Sequence, residues 1–156
     1  MNVFVSVGTQ LPFERLISYV ESVFLGTEHN VFIQTAGVER KEDKNICYKN
    51  YLSPNEYNKY INWCDIMISH AGMGTIITSL EENKPLIIVP RLASLGEHRN
   101  EHQLATSKKF EDSAVIKVAK SKEELEAHIK KEISVSRIES SILISEELLN
   151  FLKLSI

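Results

Sequence analysis

The chain has 156 residues, 43% of them hydrophobic and 25% charged, with a formal net charge of −3. This is the size and mix of one compact domain with a core of its own, and the acidic balance without a basic stripe argues against a nucleic-acid partner. No apolar run reaches the roughly 20 residues that span a bilayer, and Met1-Asn2-Val3-Phe4 enters a strand pattern without a charged n-region, so neither export nor a membrane span is expected.

In chain order, Val3 to Val7 is β-branched and nearly continuous in apolar character, the pattern of a strand buried on both faces of a parallel sheet. Gly8-Thr9-Gln10-Leu11-Pro12 interrupts it. Phe13 to Leu25 then carries Phe13, Leu16, Ile17, Val20 and Phe24 at helical spacing, with Gly26 as its stop. Asn30 to Thr35 predicts a second strand, Glu39 to Asn45 a charged connection, and Ile46-Cys47-Tyr48 with Tyr51 a short third strand. Ser53-Pro54 followed by Glu56 reads as a helix start, with Ser53 as cap and Pro54 in the first helical position. Cys47 and Cys64 have apolar or aromatic neighbours and no metal spacing, so both are expected as reduced core cysteines.

Ile66 to Ser69 and Pro85 to Val89 are the next two strands, with a helix from about Thr75 to Asn83 between them. Glu101 to Phe110 predicts a helix and Ala114 to Val118 a sixth strand. Ser121 with Glu124 predicts a capping box that opens a helix bearing Leu125 and Ile129. From Ser136 onward, Ile138, Ile142, Leu148, Leu149, Phe151, Leu152 and Leu154 suggest one last helix. Strands alternating with helices imply a mainly parallel sheet of about six strands with helices on both faces and right-handed crossovers, a Rossmann-like α/β domain. Residues 1–134 form that domain in this reading, and residues 135–156 a C-terminal helix able to dock a partner.

Ligands of such sheets bind beyond the carboxyl ends of the strands. Three polar turns fall on that edge: Gly8-Thr9-Gln10, His70 to Thr75, and Arg91 to Gln103. A strand running into Gly72-Met73-Gly74 and then a helix brings free backbone N–H groups and the positive helix end together, which is a cradle for phosphate. A lone Gly-x-Gly usually serves only a tight turn. Here a histidine, a threonine and a polar loop longer than the usual connection of about 2–6 residues stand on the same edge, which favours a binding site.

These residues carry a family resemblance. Ser69-His70-Ala71-Gly72-x-Gly74-Thr75, then Lys84-Pro85, an apolar strand, Pro90 and Asn100-x-His102-Gln103-Leu104 resemble the nucleotide-sugar-binding half of GT-B glycosyltransferases. The likeness is in particular to the split UDP-GlcNAc transferases that extend dolichyl-diphosphate-GlcNAc and to their bacterial counterparts in capsule and exopolysaccharide synthesis. The opening Phe4-Val5-Ser6-Val7-Gly8-Thr9-Gln10-x-Pro12-Phe13 and the loop Gly96-Glu97-His98-x-Asn100-x-His102-Gln103 resemble the bacterial group. The resemblance runs from Met1 to about Phe110 and extends, more remotely, to the lipid-intermediate GlcNAc transferase of peptidoglycan synthesis.

The resemblance implies an inverting hexosyltransferase whose donor substrate is a UDP-sugar and which needs neither cofactor nor metal. The N–H groups of Gly72, Met73, Gly74 and Thr75, with the Thr75 hydroxyl, would hold the diphosphate and the charge that grows as UDP departs. His70 would orient phosphate or sugar, Asn100, His102 and Gln103 would contact sugar or diphosphate, and Gly8 and Thr9 would face the reaction centre, with His70 and Thr9 as the catalytic candidates. One position departs from the pattern: many relatives hold the ribose hydroxyls with an acidic residue where this chain has Thr78, a weaker acceptor for a diol. Glu81, one helical turn on, is a candidate substitute.

The resemblance also implies a split enzyme. Donor-binding sequence occupies the chain from Met1, so the acceptor surface, the membrane anchor and the general base are expected from a membrane-anchored partner subunit that presents a lipid-diphosphate-linked saccharide. The chain would then be cytoplasmic and peripheral at the inner face of the membrane, held there through its partner. Two other readings compete. One is a non-catalytic nucleotide-sugar-binding regulatory subunit. The other is a zinc hydrolase, because His98-Arg99-Asn100-Glu101-His102 matches the His-x-x-Glu-His pattern in which two histidines bind zinc and the glutamate acts as base.

Overall fold

The computed structural model describes residues 1–134. The expected helix from Ser136 and the docking role of residues 135–156 lie outside the described residues. Six strands, β1 (Asn2–Ser6), β2 (Asn30–Gln34), β3 (Ile46–Lys49), β4 (Ile66–His70), β5 (Leu86–Val89) and β6 (Ile116–Val118), form one sheet in the order β3-β2-β1-β4-β5-β6. All five pairings are parallel, with Val5 opposite Ile33 on one side and Ile68 on the other. The strand order reverses direction at β1 and β4, which opens a crevice at their carboxyl ends.

Both faces of the sheet are covered because successive side chains alternate between them. Val3 and Val5 of β1, Ile66 and Ile68 of β4, and Ile87 and Val89 of β5 pack against Leu16, Ile17 and Val20 of α1 (Glu14–Phe24) and Leu125 and Ile129 of α5 (Lys122–Ser134). Phe4, Met67, Leu86 and Ile88 face the other way, against Ile61 of α2 (Pro54–Trp63), Ile76 and Leu80 of α3 (Met73–Glu81), and Phe110 beyond α4 (His102–Lys108). Phe32 also stacks on Tyr60 with centroids 3.6 Å apart. Fully burying one such side chain contributes about 1.5–3 kcal/mol, so these two apolar layers are what hold the sheet between its helices.

The helix ends follow their local chemistry. Ser53 caps α2 by accepting from the Glu56 N–H at 3.2 Å while Glu56 accepts from the Ser53 N–H at 2.9 Å, a complete capping box with Pro54 at the first position. At α5 the box is only half formed: the Ser121 hydroxyl accepts from the Glu124 N–H, but the Glu124 carboxylate accepts from the N–H of Lys120, one residue further out. Helix α3 starts two residues before the expected Thr75, because Gly72 is extended and acts as its N-cap. It ends at Glu81 because Asn83 turns left-handed with φ 51°, letting the Lys84 N–H reach the Ser79 carbonyl at 2.9 Å. Cys64 is buried and its thiol pushed up to about 11 by desolvation, but Cys47 is exposed. The core position expected for Cys47 is corrected: among the described residues β3 is an edge strand, and Cys47, on the sheet face of its partner Phe32, stands there uncovered.

Candidate active site

The carboxyl ends of β1, β4 and β5 open on a cleft of about 760 Å³. Gly8, Thr9, His70, Gly72, Gly74, Thr75, Thr78 and Gln103 of the expected site all line it. Three stretches far apart in sequence therefore meet, as the three polar turns implied. Met73, also expected in the site, does not line the cleft; its half-buried side chain packs against the apolar core. Asn100 and His102 do not line the cleft. The Asn100 side chain accepts from the His102 N–H at 3.0 Å and its carbonyl lies 3.2 Å from Nδ1 of His98, which makes it a local turn former, while His102 is exposed. Glu81 is exposed at the far end of α3, away from the cleft.

The wall of the cleft is set by the β4–α3 turn. Among the described residues no side chain caps α3 at Gly72, in contrast to α2, which leaves the N–H groups of Met73, Gly74 and Thr75 there without capping partners. A Cβ at Gly74 would meet nothing within 4 Å, so the backbone there is open to an approaching group. Thr78 donates to the Gly74 carbonyl at 2.9 Å and keeps its lone pairs free, so a substrate hydroxyl can still donate to it. The Thr75 side chain is buried beside the Tyr57 phenol, which also lies by Ser6; burial raises the Tyr57 pKa, keeping it a neutral hydroxyl.

Three polar bridges fix the other walls. Gln34 accepts from the Ser6 hydroxyl at 3.0 Å and donates to the Gly8 carbonyl at 2.9 Å, which anchors the first loop to β2. Arg91, 3% exposed, donates to the carbonyls of Val7 (2.7 Å), Leu11 (2.6 Å) and Pro12 (2.7 Å) and stands 4.6 Å from the Phe13 ring centroid. Glu97 chelates Arg15 through both oxygens, at 2.7 and 2.8 Å, and accepts from the Leu92 N–H, which closes the loop after β5 onto α1. The Gln103 side-chain carbonyl accepts from the Arg91 N–H at 3.0 Å, so one end of a residue expected to contact substrate is committed to the loop. Sequence reasoning missed Arg91, Gln34 and Tyr57; the one available signal was a charged residue directly after the buried run that ends at Pro90.

His70 is wedged into this frame. The Cβ that Gly8 lacks would fall 2.9 Å from Cε1 of the ring, and the Cβ that Gly72 lacks would collide with Nε2. Both glycines are therefore needed to admit the imidazole, and Gly8 also has φ +86°, where a side chain is strained. Desolvation first, and then the nearby Arg91 cation, depress the His70 pKa to about 4, against a smaller opposing effect of the Ser6 carbonyl. The ring is thus neutral at physiological pH.

The rival metal reading finds no geometry. His98 precedes α4 in a loop with Nδ1 against a backbone carbonyl, Glu101 accepts from the Ser94 N–H at 3.3 Å, and His102 is the first residue of α4. The two histidines are not one turn apart on a helix, and among the described residues no group of three or more His, Cys, Asp or Glu side chains is placed to hold a metal ion.

Comparison with known proteins agrees with this architecture. The model of the glycosyltransferase family 28 C-terminal domain matches residues 2–141. Over 44 residues the chain is 48% identical to the UDP-N-acetylglucosamine transferase subunit ALG13 of Candida albicans, covering 28% of this chain and 15% of that protein. Over 64 residues it is 36% identical to the UDP-N-acetylglucosamine–N-acetylmuramyl-(pentapeptide) pyrophosphoryl-undecaprenol N-acetylglucosamine transferase of Prochlorococcus marinus, covering 41% of this chain and 17% of that protein. The solved structure of the glycotransferase of kitacinnamycin superposes with a TM-score of 0.64 at 18% identity, covering 97% of this chain and 38% of that one. The chain thus spans a minor part of the length of each, and the part it spans has the fold of one half of a GT-B glycosyltransferase. With its family model matched along most of its length and its sheet and cleft as that fold requires, the chain belongs to the glycosyltransferase family 28 C-terminal domain family.

Proposed function

We propose that this domain binds the UDP part of a UDP-sugar in the cleft and serves as the donor half of an inverting hexosyltransferase. The observation that carries this reading is the uncapped start of α3, whose free N–H groups open on a cleft also lined by Gly8, Thr9 and His70. A diphosphate seated there meets backbone donors at the positive end of a helix, and the same donors stabilise the charge that develops on UDP as the sugar leaves. Thr78 accepts from a ribose hydroxyl, and Gln103 offers an amide nitrogen that makes no hydrogen bond among the described residues. No cation is needed in this scheme, because helix end and hydrogen bonds do its work.

The acceptor, in this proposal, is a lipid-diphosphate-linked saccharide presented by a membrane-anchored partner subunit, and the chain works on the cytoplasmic side of the membrane in polysaccharide synthesis. Support comes from the names of the relatives, one a transferase subunit and the other acting with a pyrophosphoryl-undecaprenol substrate. No helix among the described residues is long and apolar enough to cross a membrane, and an anchor from the partner would supply that function. The test is transfer from radiolabelled UDP-galactose, UDP-glucose, UDP-N-acetylglucosamine and UDP-glucuronate to a prenyl-diphosphate-linked hexose, with and without a co-expressed membrane-anchored Rossmann-like protein from a neighbouring gene. Transfer that needs the second protein and survives EDTA supports the reading. Full turnover by this chain alone overturns the split, and activity restored only by added zinc overturns the metal-independent mechanism.

A further inference from the structure

Most polar side chains of the loop from Arg91 to Gln103 are spent on the fold. Arg91 goes to the carbonyls of Val7, Leu11 and Pro12, and Glu97 to Arg15 and the Leu92 N–H. Asn100 accepts from the His102 N–H, Glu101 from the Ser94 N–H, and Gln103 from the Arg91 N–H. His98 is the exception. Its half-buried ring is pinned at one nitrogen, with Nδ1 3.2 Å from the Asn100 carbonyl oxygen and 3.4 Å from the Asn100 backbone nitrogen. The ring lines the cleft, and Nε2 makes no hydrogen bond among the described residues. That nitrogen is not sealed off, since the Ser79 hydroxyl is the one sealed side-chain polar atom among them that lacks a partner.

Among the described residues no carboxylate lines the cleft. Histidine is the side chain that takes up a proton near neutral pH, and the cleft has two. His70 is wedged between Gly8 and Gly72, with its pKa depressed to about 4 by desolvation first and then by Arg91. His98 stands on the open loop. The cleft is also graded along the sheet: Leu52, Pro54 and Tyr57 beyond β3 form an apolar end, the start of α3 after β4 stands in the middle, and Arg91, His98 and Gln103 beyond β5 form a polar end.

From this arrangement we infer that His98 is the general base of the transfer, its Nε2 taking the proton of the acceptor hydroxyl. The inference rests on the donor-site reading above. A UDP-sugar with its diphosphate at the start of α3 and its flat base at the apolar end carries its hexose toward the β5–α4 loop. In an inverting transfer the acceptor oxygen attacks the anomeric carbon from the side opposite the diphosphate, which is the side of that loop. The bond from the anomeric carbon to the acceptor oxygen forms as the bond to the diphosphate oxygen breaks. UDP leaves with the electron pair, and the hydroxyl proton passes to Nε2 and then to solvent. The hold of Asn100 on Nδ1 fixes the ring, so Nε2 is aimed before the acceptor arrives. The base expected from the partner subunit then lies in this chain, and the partner's part is to present the acceptor.

The test uses the full chain co-expressed with the membrane-anchored Rossmann-like protein of the neighbouring gene, the four UDP-hexoses and a prenyl-diphosphate-linked hexose. His98→Gln and His98→Ala are compared with the unaltered chain for kcat, for KM of the UDP-hexose, for calorimetric UDP affinity and for urea midpoint. The expected result is a kcat lower by about 100-fold or more, the worth of a general base, with KM, UDP affinity and midpoint unchanged. Imidazole added to His98→Ala should restore part of the lost rate and leave the unaltered chain as it was. A kcat retained in both variants overturns the inference. A rate lost together with UDP affinity also overturns it, because the ring then serves the diphosphate. So does a lost rate that imidazole does not restore, which marks a structural role. If the unaltered pair transfers none of the four hexoses, the donor-site reading fails and the inference falls with it, a distinct result because no variant is involved.

Discussion

Arg91 donates to the Val7 carbonyl across 2.7 Å, and so the chain leaving β5 holds the chain leaving β1. The same guanidinium takes the carbonyls of Leu11 and Pro12 and lies over Phe13, while among the described residues Glu97 gives its carboxylate to Arg15 and only its backbone carbonyl, at 3.4 Å, to Arg91. Desolvation lowers the Arg91 pKa against the opposing attraction of Glu97, so its charge is offset in part, and an anionic ligand in the cleft profits from the remainder.

Arg91→Lys keeps the charge but replaces the planar fork with a single ammonium that cannot reach all these carbonyls. The expected cost is about 2 kcal/mol of stability, seen as a lower urea midpoint, with weaker UDP binding because the Gly8 to Pro12 loop loosens. Unchanged midpoint and affinity would show that the loop stands without the fork.

The two glycines of the β4–α3 turn should respond oppositely. Gly74→Ala adds a Cβ to open space and should leave folding and UDP binding nearly unchanged, whereas Gly74→Asp should fold but bind UDP about 100-fold more weakly through charge repulsion. Gly72→Ala collides with Nε2 of His70 and should cost about 1–3 kcal/mol as the ring is forced aside. Thermal unfolding and calorimetric titration with UDP, run on all three variants, separate the steric effect from the electrostatic one.

The depressed pKa of His70 makes stability depend on pH in a defined window. The folded value is about 4 against 6.5 for the ordinary residue, so between these values the unfolded chain binds the extra proton. Stability from this group is present in full above pH 6.5 and is lost as pH falls toward 4, by up to about 3 kcal/mol. Glu97, also depressed, loses its contribution only below its ordinary value of 4.5, so urea midpoints at pH 7 and pH 5.5 isolate the histidine. The difference between those midpoints should shrink in His70→Gln.

Strand and helix order, the Ser53 cap and the Gly72-Met73-Gly74 turn were legible in the sequence, because each rests on local chemistry: apolar runs, a hydroxyl before a proline, a glycine pair between strand and helix. What was not legible depends on distance. Nothing around Arg91 reveals that its partners lie around Val7 to Pro12, and a sequence pattern cannot tell a side chain that faces the cleft, Gln103, from one that folds a local turn, Asn100. Cys47 misled for a related reason: apolar neighbours place a residue on a strand, but only the sheet order makes β3 an edge, where the face that buries Phe32 leaves Cys47 exposed.

Hydrogen exchange of the full chain with and without UDP tests the central claim most directly. If the cleft at the start of α3 is the donor site, UDP slows exchange of the amides from Gly72 to Ile76 and leaves those of α5, on the opposite face of the sheet, unchanged. UDP that leaves the Gly72 to Ile76 amides exchanging at the rate of the free chain would contradict it.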